Sequence, residues 1–283
     1  MEITFFGVRG SIPAPGPSTV RYGGNTSCVS VRLQSGELII LDCGTGARNL
    51  GLALLSGDFG QGRGRATFLL SHAHWDHIQG FPFFVPFYTP GNRFTVYGGG
   101  RSPGLLEEVL EGQMAAQYFP VQTIKNMASV IDVHAVPEGT SFAVGSAQVR
   151  AVAIPHGPTM ALAFRIEDAG KVLTYASDAG YDADGPTEEM LALYRGADLL
   201  IHDATYTPED RAARLHRGLS SVDDAIDAAV AAKVRRLALF HYDQDYTDHD
   251  VDQLVVRARS RLADNPGAKI ELIAAAEGLS VRL

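Results

Sequence analysis

The feature that most constrains this chain is an apolar run that ends in a burst of metal-capable side chains. Thr67-Phe68-Leu69-Leu70 reads as a short, buried strand, and it delivers the chain directly into His72-Ala73-His74-Trp75-Asp76-His77. Residues two apart on an extended segment point the same way, so His72 and His74 can grip one ion. Asp76 and His77 lie further along the loop and can reach a second. The chain holds 9 histidines, so three within six positions are not a chance cluster of polar loop residues. Imidazole and carboxylate suit zinc, and also manganese or iron.

The same pattern recurs. His156 follows Val152-Ala153-Ile154-Pro155, Asp178 follows the run from Val172 to Ser177, and His241 follows Leu237-Ala238-Leu239-Phe240. Each is the first strongly ligating residue after a run that ought to be buried. One such histidine would be read as structural; three in succession after the first cluster point to a metal centre.

Between these points the periodicity predicts a first strand over Ile3 to Val8. A hairpin follows, from Cys28 to Leu33 and Leu38 to Leu41 about Ser35-Gly36. Helices are expected over Ala47 to Leu55, Leu105 to Gln117, Pro186 to Tyr194, Ser221 to Lys233 and Asp248 to Leu262. Further strands are expected at Arg93 to Tyr97, Val130 to Val136, Ser141 to Val144, Gln148 to Ile154, Leu162 to Ile166, Lys171 to Ala176, Leu199 to His202, Leu237 to Phe240, Ile270 to Ala274 and Leu279 to Leu283. Pro82 and Pro86 argue against a long helix in the aromatic stretch from Phe81 to Tyr88. That stretch opens a segment running to Val130, read either as added core or a dimer face, or as a substrate lid in which Tyr118 and Phe119 stack on a base. Strands early and late, each with helices, suggest two β/α halves packed sheet to sheet, a coarse pattern that by itself fits several folds; one domain over residues 1–283 is expected.

Composition narrows the function. A formal net charge of −8 repels phosphate backbones at long range and argues against long nucleic acid as a general partner. Small anionic substrates remain compatible with it, because a metal's charge dominates locally. Cys28 and Cys43 lie in apolar runs and read as buried free thiols. With no signal-like N-terminus and no apolar run of membrane-spanning length, a cytoplasmic protein without membrane contact is expected.

The order H-x-H-x-D-H, His, Asp, His resembles the metallo-β-lactamase superfamily from Phe6 to Val281. The resemblance implies an α/β fold, the four-layer αββα sandwich with the metals at one edge of the paired sheets. It also implies two divalent metal ions: one held by His72, His74 and His156, the other by Asp76, His77 and His241, with Asp178 bridging. True β-lactamases typically carry a cysteine at the position of Asp178, and glyoxalase II-like hydrolases a helical extension missing here. Gly7-Val8-Arg9-Gly10-Ser11, Gly24-Asn25-Thr26-Ser27 and Ile201-His202-Asp203-Ala204-Thr205-Tyr206 resemble the ribonuclease Z-like branch. Phe240-His241-Tyr242-Asp243 and Tyr246-Thr247-Asp248 look like its cyclic-nucleotide phosphodiesterase relatives.

The pattern departs from the nuclease at two places. Asp203 stands for its glutamate, and Leu219 for a histidine that works near the leaving group. His216 is the candidate substitute, set against a plain exposed residue beside Arg214 and Arg217. No basic insertion matches the nuclease's tRNA arm. The expected catalytic residues are therefore Asp76, to orient or deprotonate water, Asp203, to fix a ligand histidine's tautomer, and His216. The expected function is a metal-dependent phosphodiesterase for small anionic phosphodiesters such as cyclic nucleotides. A tRNA 3′-processing-type endoribonuclease, a lactone or ester hydrolase, and a non-catalytic metal-holding sensor are the alternatives. The branch also implies a homodimer.

Overall fold

The computed structural model describes residues 1–99, 103–121, 123–136, 139–182 and 184–283. In chain order the strands of the first half are β1 (Glu2–Gly7), β2 (Cys28–Arg32), β3 (Leu38–Leu41), β4 (Arg65–Leu70), β5 (Arg93–Gly99) and β6 (Val130–Val136). Those of the second half are β7 (Ser141–Val144), β8 (Ala147–His156), β9 (Thr159–Asp168), β10 (Lys171–Ala176), β11 (Leu199–Asp203), β12 (Arg236–Phe240), β13 (Glu271–Ala274) and β14 (Ser280–Arg282). The helices are α1 (Gly46–Leu54), α2 (Trp75–Ile78), α3 (Pro103–Gly112), α4 (Glu188–Tyr194), α5 (Pro208–Ala213), α6 (Val222–Ala232) and α7 (Asp248–Ala263).

Two seven-stranded sheets form, in the orders β14-β1-β2-β3-β4-β5-β6 and β13-β12-β11-β10-β9-β8-β7. The last strand, β14, crosses back to pair antiparallel with β1, so the chain's end belongs to the first sheet. Alternation along each strand makes the layers. In β3, Ile39 and Leu41 face the inter-sheet core with Phe5, Val149, Phe164 and Tyr175, whereas Leu38 and Ile40 face the outer cluster with Phe68, Phe84 and Phe87. Helices α1 and α3 cover the first sheet; α4, α6 and α7 cover the second. The expected αββα sandwich is therefore present.

Sequence and structure differ mainly at element ends. The expected helix over Leu105 to Gln117 stops at Gly112. The aromatic stretch holds two short 3-10 turns, Phe81–Phe83 and Val85–Tyr88, as the prolines required. Strands β8 and β9 run longer than expected because they pair with each other along their whole length, from Gln148 opposite Glu167 to His156 opposite Thr159. Helix α5 was not expected; its six residues bury no side chain, so no apolar periodicity announces it. Ser221 caps α6 in a reciprocal box with Asp224, and Thr247 does the same for α7 with Asp250. Both cysteines are buried and free. Among the described residues, no helix is long and apolar enough to cross a membrane.

Candidate metal centre

Strand ends build the site. Parallel pairing of β3 with β4 sets Leu41 beside Leu69, so Asp42 and the histidine run leave the first sheet at the same edge. Parallel pairing of β10, β11 and β12 does the same for Asp178, Asp203 and His241 in the second. Asp42, Asp178 and His241 all turn out of their strands with positive φ, at 56°, 57° and 61°. That backbone is uncommon for residues with a side chain, and here it swings each one sideways into the gap between the sheets. Asp76 and His77 arrive differently from expectation: they lie on the single helical turn α2, not on a loop.

The predicted ligand residues come together in two groups. His72, His74 and His156 offer ring nitrogens within 4.8 Å of one another, and Asp76, His77, Asp178 and His241 do the same with their own ligand atoms. Asp178 spans both: one carboxylate oxygen lies 3.1 Å from His77 Nε2, the other 3.3 Å from His241 Nε2 and 3.7 Å from His156 Nε2.

Three of the rings are held from behind. His77 Nδ1 donates to Asp42 at 2.7 Å, and Asp42 also accepts from Tyr175 Oη (2.6 Å), Ser71 Oγ (2.9 Å) and Ser71 N (2.7 Å). His156 Nδ1 donates to the Gly218 carbonyl at 2.9 Å. His241 Nδ1 lies 3.0 Å from Thr205 Oγ1, and that hydroxyl donates to Asp203 at 2.5 Å. Asp203 therefore reaches a ring only through Thr205, and its other oxygen takes the Ser220 N–H at 2.9 Å. Fixing Nδ1 as the protonated nitrogen turns the Nε2 lone pair of each of these rings toward the cluster.

The cluster fits cations. His72 Nε2 and His77 Nε2 are buried with no hydrogen-bond partner, which is costly unless something else occupies their lone pairs. Burial and the neighbouring His77 hold the His72 ring well below its usual pKa, leaving it neutral and able to donate its lone pair. Burial opposes charge on His77 too, yet Asp178, Asp76 and Asp42 raise it well above the ordinary range. The carboxylates thus demand positive charge at this point, and a divalent ion supplies what a proton otherwise must.

The centre opens into a cavity of about 440 Å³. His74, Trp75, His156, His216, Arg217 and Leu219 are among its walls. His216 therefore sits at the rim, with Arg217 beside it. Asp203 does not line this cavity; both its oxygens are occupied beneath the floor.

The match to a protein-family model decides the family. Residues 38–242 match the family described as Beta-lactamase superfamily domain. The chain belongs to that superfamily. Among its superfamily relatives, the Ribonuclease Z of Natronomonas pharaonis is 26% identical, over 87% of this chain and 88% of its own. That of Brevibacillus brevis is 27% identical, over 89% and 88%. These relatives put the chain in the ribonuclease Z-like branch of the metallo-β-lactamase superfamily. The metallo-β-lactamase fold protein YhfI from Bacillus subtilis superposes with a TM-score of 0.71 at 18% identity, covering 99% of this chain and 98% of its own, and carries the fold alone. The superfamily is one of metal-dependent hydrolases. The argument from net charge against long nucleic acid gives way here, because relatives that match along most of their length carry the name ribonuclease. Net charge reports the far field, while contact with a phosphate depends on the local rim, where His216 and Arg217 stand.

Several residues of the centre escaped the sequence reading. Asp42 carried the same signature as Asp178, a carboxylate straight after an apolar strand, and could have been found by it. Tyr175 and Thr205 carried none, since nothing in sequence ties them to a ring far along the chain, and Ser71, although beside His72, gave no sign of its bonds to Asp42.

Proposed function

We propose that residues 1–283 form one hydrolase domain that cleaves phosphodiesters with two divalent metal ions, most simply zinc. The carrying observation is Asp178, whose carboxylate lies against both groups, Oδ2 beside His77 and Oδ1 between His241 and His156. In this reading His72, His74 and His156 hold one ion, Asp76, His77 and His241 the other, and Asp178 both. Two such ions would supply acidity to a water and positive charge against the phosphoryl oxygens.

The chain's own groups do the rest. Asp76 Oδ2 accepts the Ser11 N–H at 2.6 Å, which fixes the carboxylate beside His77 and His241, where it would orient or deprotonate the water. Arg217 presents a cation to the phosphate from the rim. His216, on the same turn, is the group placed to return a proton to the leaving oxygen, the part that Leu219 cannot play. Asp203 acts at one remove, holding His241 through Thr205.

Small phosphodiesters such as cyclic nucleotides are the first substrate class, supported by a cavity of about 440 Å³ and by the missing basic insertion. The second is RNA, favoured by the relatives named Ribonuclease Z. The deciding experiment measures metal content and bis(p-nitrophenyl) phosphate hydrolysis in wild type and Asp178→Ala. About two ions per chain and turnover abolished by the substitution support the reading. Two ions without turnover turn it to lactones, esters or a sensor, and no ion in metal-loaded protein overturns it. Cleavage of a 3′-extended tRNA, with steep salt dependence, selects the second class.

A further inference from the structure

A second cavity, of about 480 Å³, adjoins the metal cavity and shares Trp75 with it. We propose that it binds a nucleobase, so that the substrate is a nucleotide phosphodiester with its phosphate at the metals and its base in this cleft. The assignment rests on the phosphodiester reading of the metal centre.

Aromatic rings make the walls. Phe83 and Phe119 meet edge to face, with centroids 5.2 Å apart, and Tyr118 and Trp75 complete the opening. Trp75, Phe83 and Tyr118 are 67%, 53% and 73% exposed, so three large rings stand in water around one hollow. Nearby Phe81, Phe84 and Phe87 are fully buried, so core packing already has its aromatic residues without them. Exposed rings cost free energy unless a partner covers them.

The polar groups choose the partner. No charged side chain lines the cleft among the described residues, so it does not take the phosphate itself. Gln113 spends its amide nitrogen on the Ile78 carbonyl at 3.2 Å and leaves its amide oxygen without a protein partner among the described residues. Gln79 has no side-chain hydrogen bond among them at all. An alkyl or acyl chain would bury both amides unpaired, a cost that disfavours it. A heteroaromatic base offers a stacking face to the rings and donors and acceptors to the amides, all in one planar group.

The test uses zinc-loaded protein and two ligands, adenosine 5′-monophosphate and ribose 5-phosphate, titrated by calorimetry. Trp75 is the 1 tryptophan of the chain and lines both cavities, so quenching by the nucleotide beyond that by the sugar phosphate reports the cleft. The proposal expects the nucleotide to bind more tightly than the sugar phosphate and to quench Trp75. Phe83→Ala and Tyr118→Ala are expected to weaken the nucleotide at least about fivefold while leaving the sugar phosphate unchanged. Tyr118 is largely in water, so that variant folds even if the other does not. Equal affinity for the two ligands, equal weakening of both, or no weakening of either overturns the proposal. So does a change of oligomeric state on Tyr118→Ala with no preference for the base, which would assign the cleft to a second copy. Bis(p-nitrophenyl) phosphate turnover, read in parallel, separates the two failures: its absence in wild type sinks the phosphodiester reading, and its presence without base-dependent binding sinks only the cleft.

Discussion

Asp42 and His77, at the ends of different elements, share a 2.7 Å hydrogen bond in which both side chains are completely buried. Asp42 accepts four donors in all, so it has no freedom to turn away. His77 is thereby locked with Nε2 facing Asp76 and Asp178. Asp42→Asn keeps the volume and replaces one acceptor with a donor, setting its amide against donors that have nowhere to go. Zinc affinity is expected to fall roughly 10- to 100-fold, read by competition with a chromogenic chelator. Unchanged affinity would reduce Asp42 to a packing residue.

Gly10 makes room for His241. A Cβ built there would lie 2.3 Å from the ring carbon Cε1 and 2.8 Å from Nε2. Gly10→Ala is expected to displace the ring and drop the metal content from about two ions toward one. The fold should survive, with an overpacking cost of about 1–3 kcal/mol in urea unfolding. Two ions retained at full affinity would show that the loop simply shifts aside.

His202 gives the fold a pH dependence separate from the metals. It is fully buried, donates from Nδ1 to the Asp203 carbonyl at 2.6 Å, and faces the Tyr181 hydroxyl with Nε2. Burial pushes its pKa down to about 4. Unfolded, it titrates at about 6.5. Between those values the unfolded chain binds the proton and the folded one does not. Stability is therefore complete above about pH 6.5 and is lost as pH falls toward 4, by roughly 3 kcal/mol in total. Urea unfolding at pH 7 and pH 5 should show wild type losing about 2 kcal/mol more than His202→Gln over that interval. Parallel losses would show that His202 does not carry the slope.

Thr247 caps α7 and takes no part in the metal centre. Its hydroxyl accepts from Asp250 N, and the Thr247 backbone N–H donates to the Asp250 carboxylate at 2.8 Å. Thr247→Ala is expected to cost about 1 kcal/mol of stability with no change in metal content or turnover. A loss of turnover at full metal occupancy would tie α7 to the site.

The residues of the candidate metal cluster were legible in the sequence because their placement has a local physical cause. A buried strand must end somewhere, and where it ends beside another sheet edge, its next residue faces solvent or a site. His72, His156, Asp178 and His241 each followed an apolar run, so their place could be read before any fold was known. The outer helices and the hairpin were equally local, set by period and by the turn at Ser35-Gly36. What could not be read depends on register between distant strands. Only the pairing of β3 with β4, and the packing of one sheet on the other, sets Asp42 and Tyr175 behind His77. Only the β11 and β12 pairing sets Thr205 between Asp203 and His241, so that Asp203 reaches the ring through a hydroxyl. Side-chain chemistry named the groups able to hold metal; tertiary contacts, which sequence spacing does not encode, decided which nitrogen each ring presents and which rings stand exposed around the neighbouring cleft.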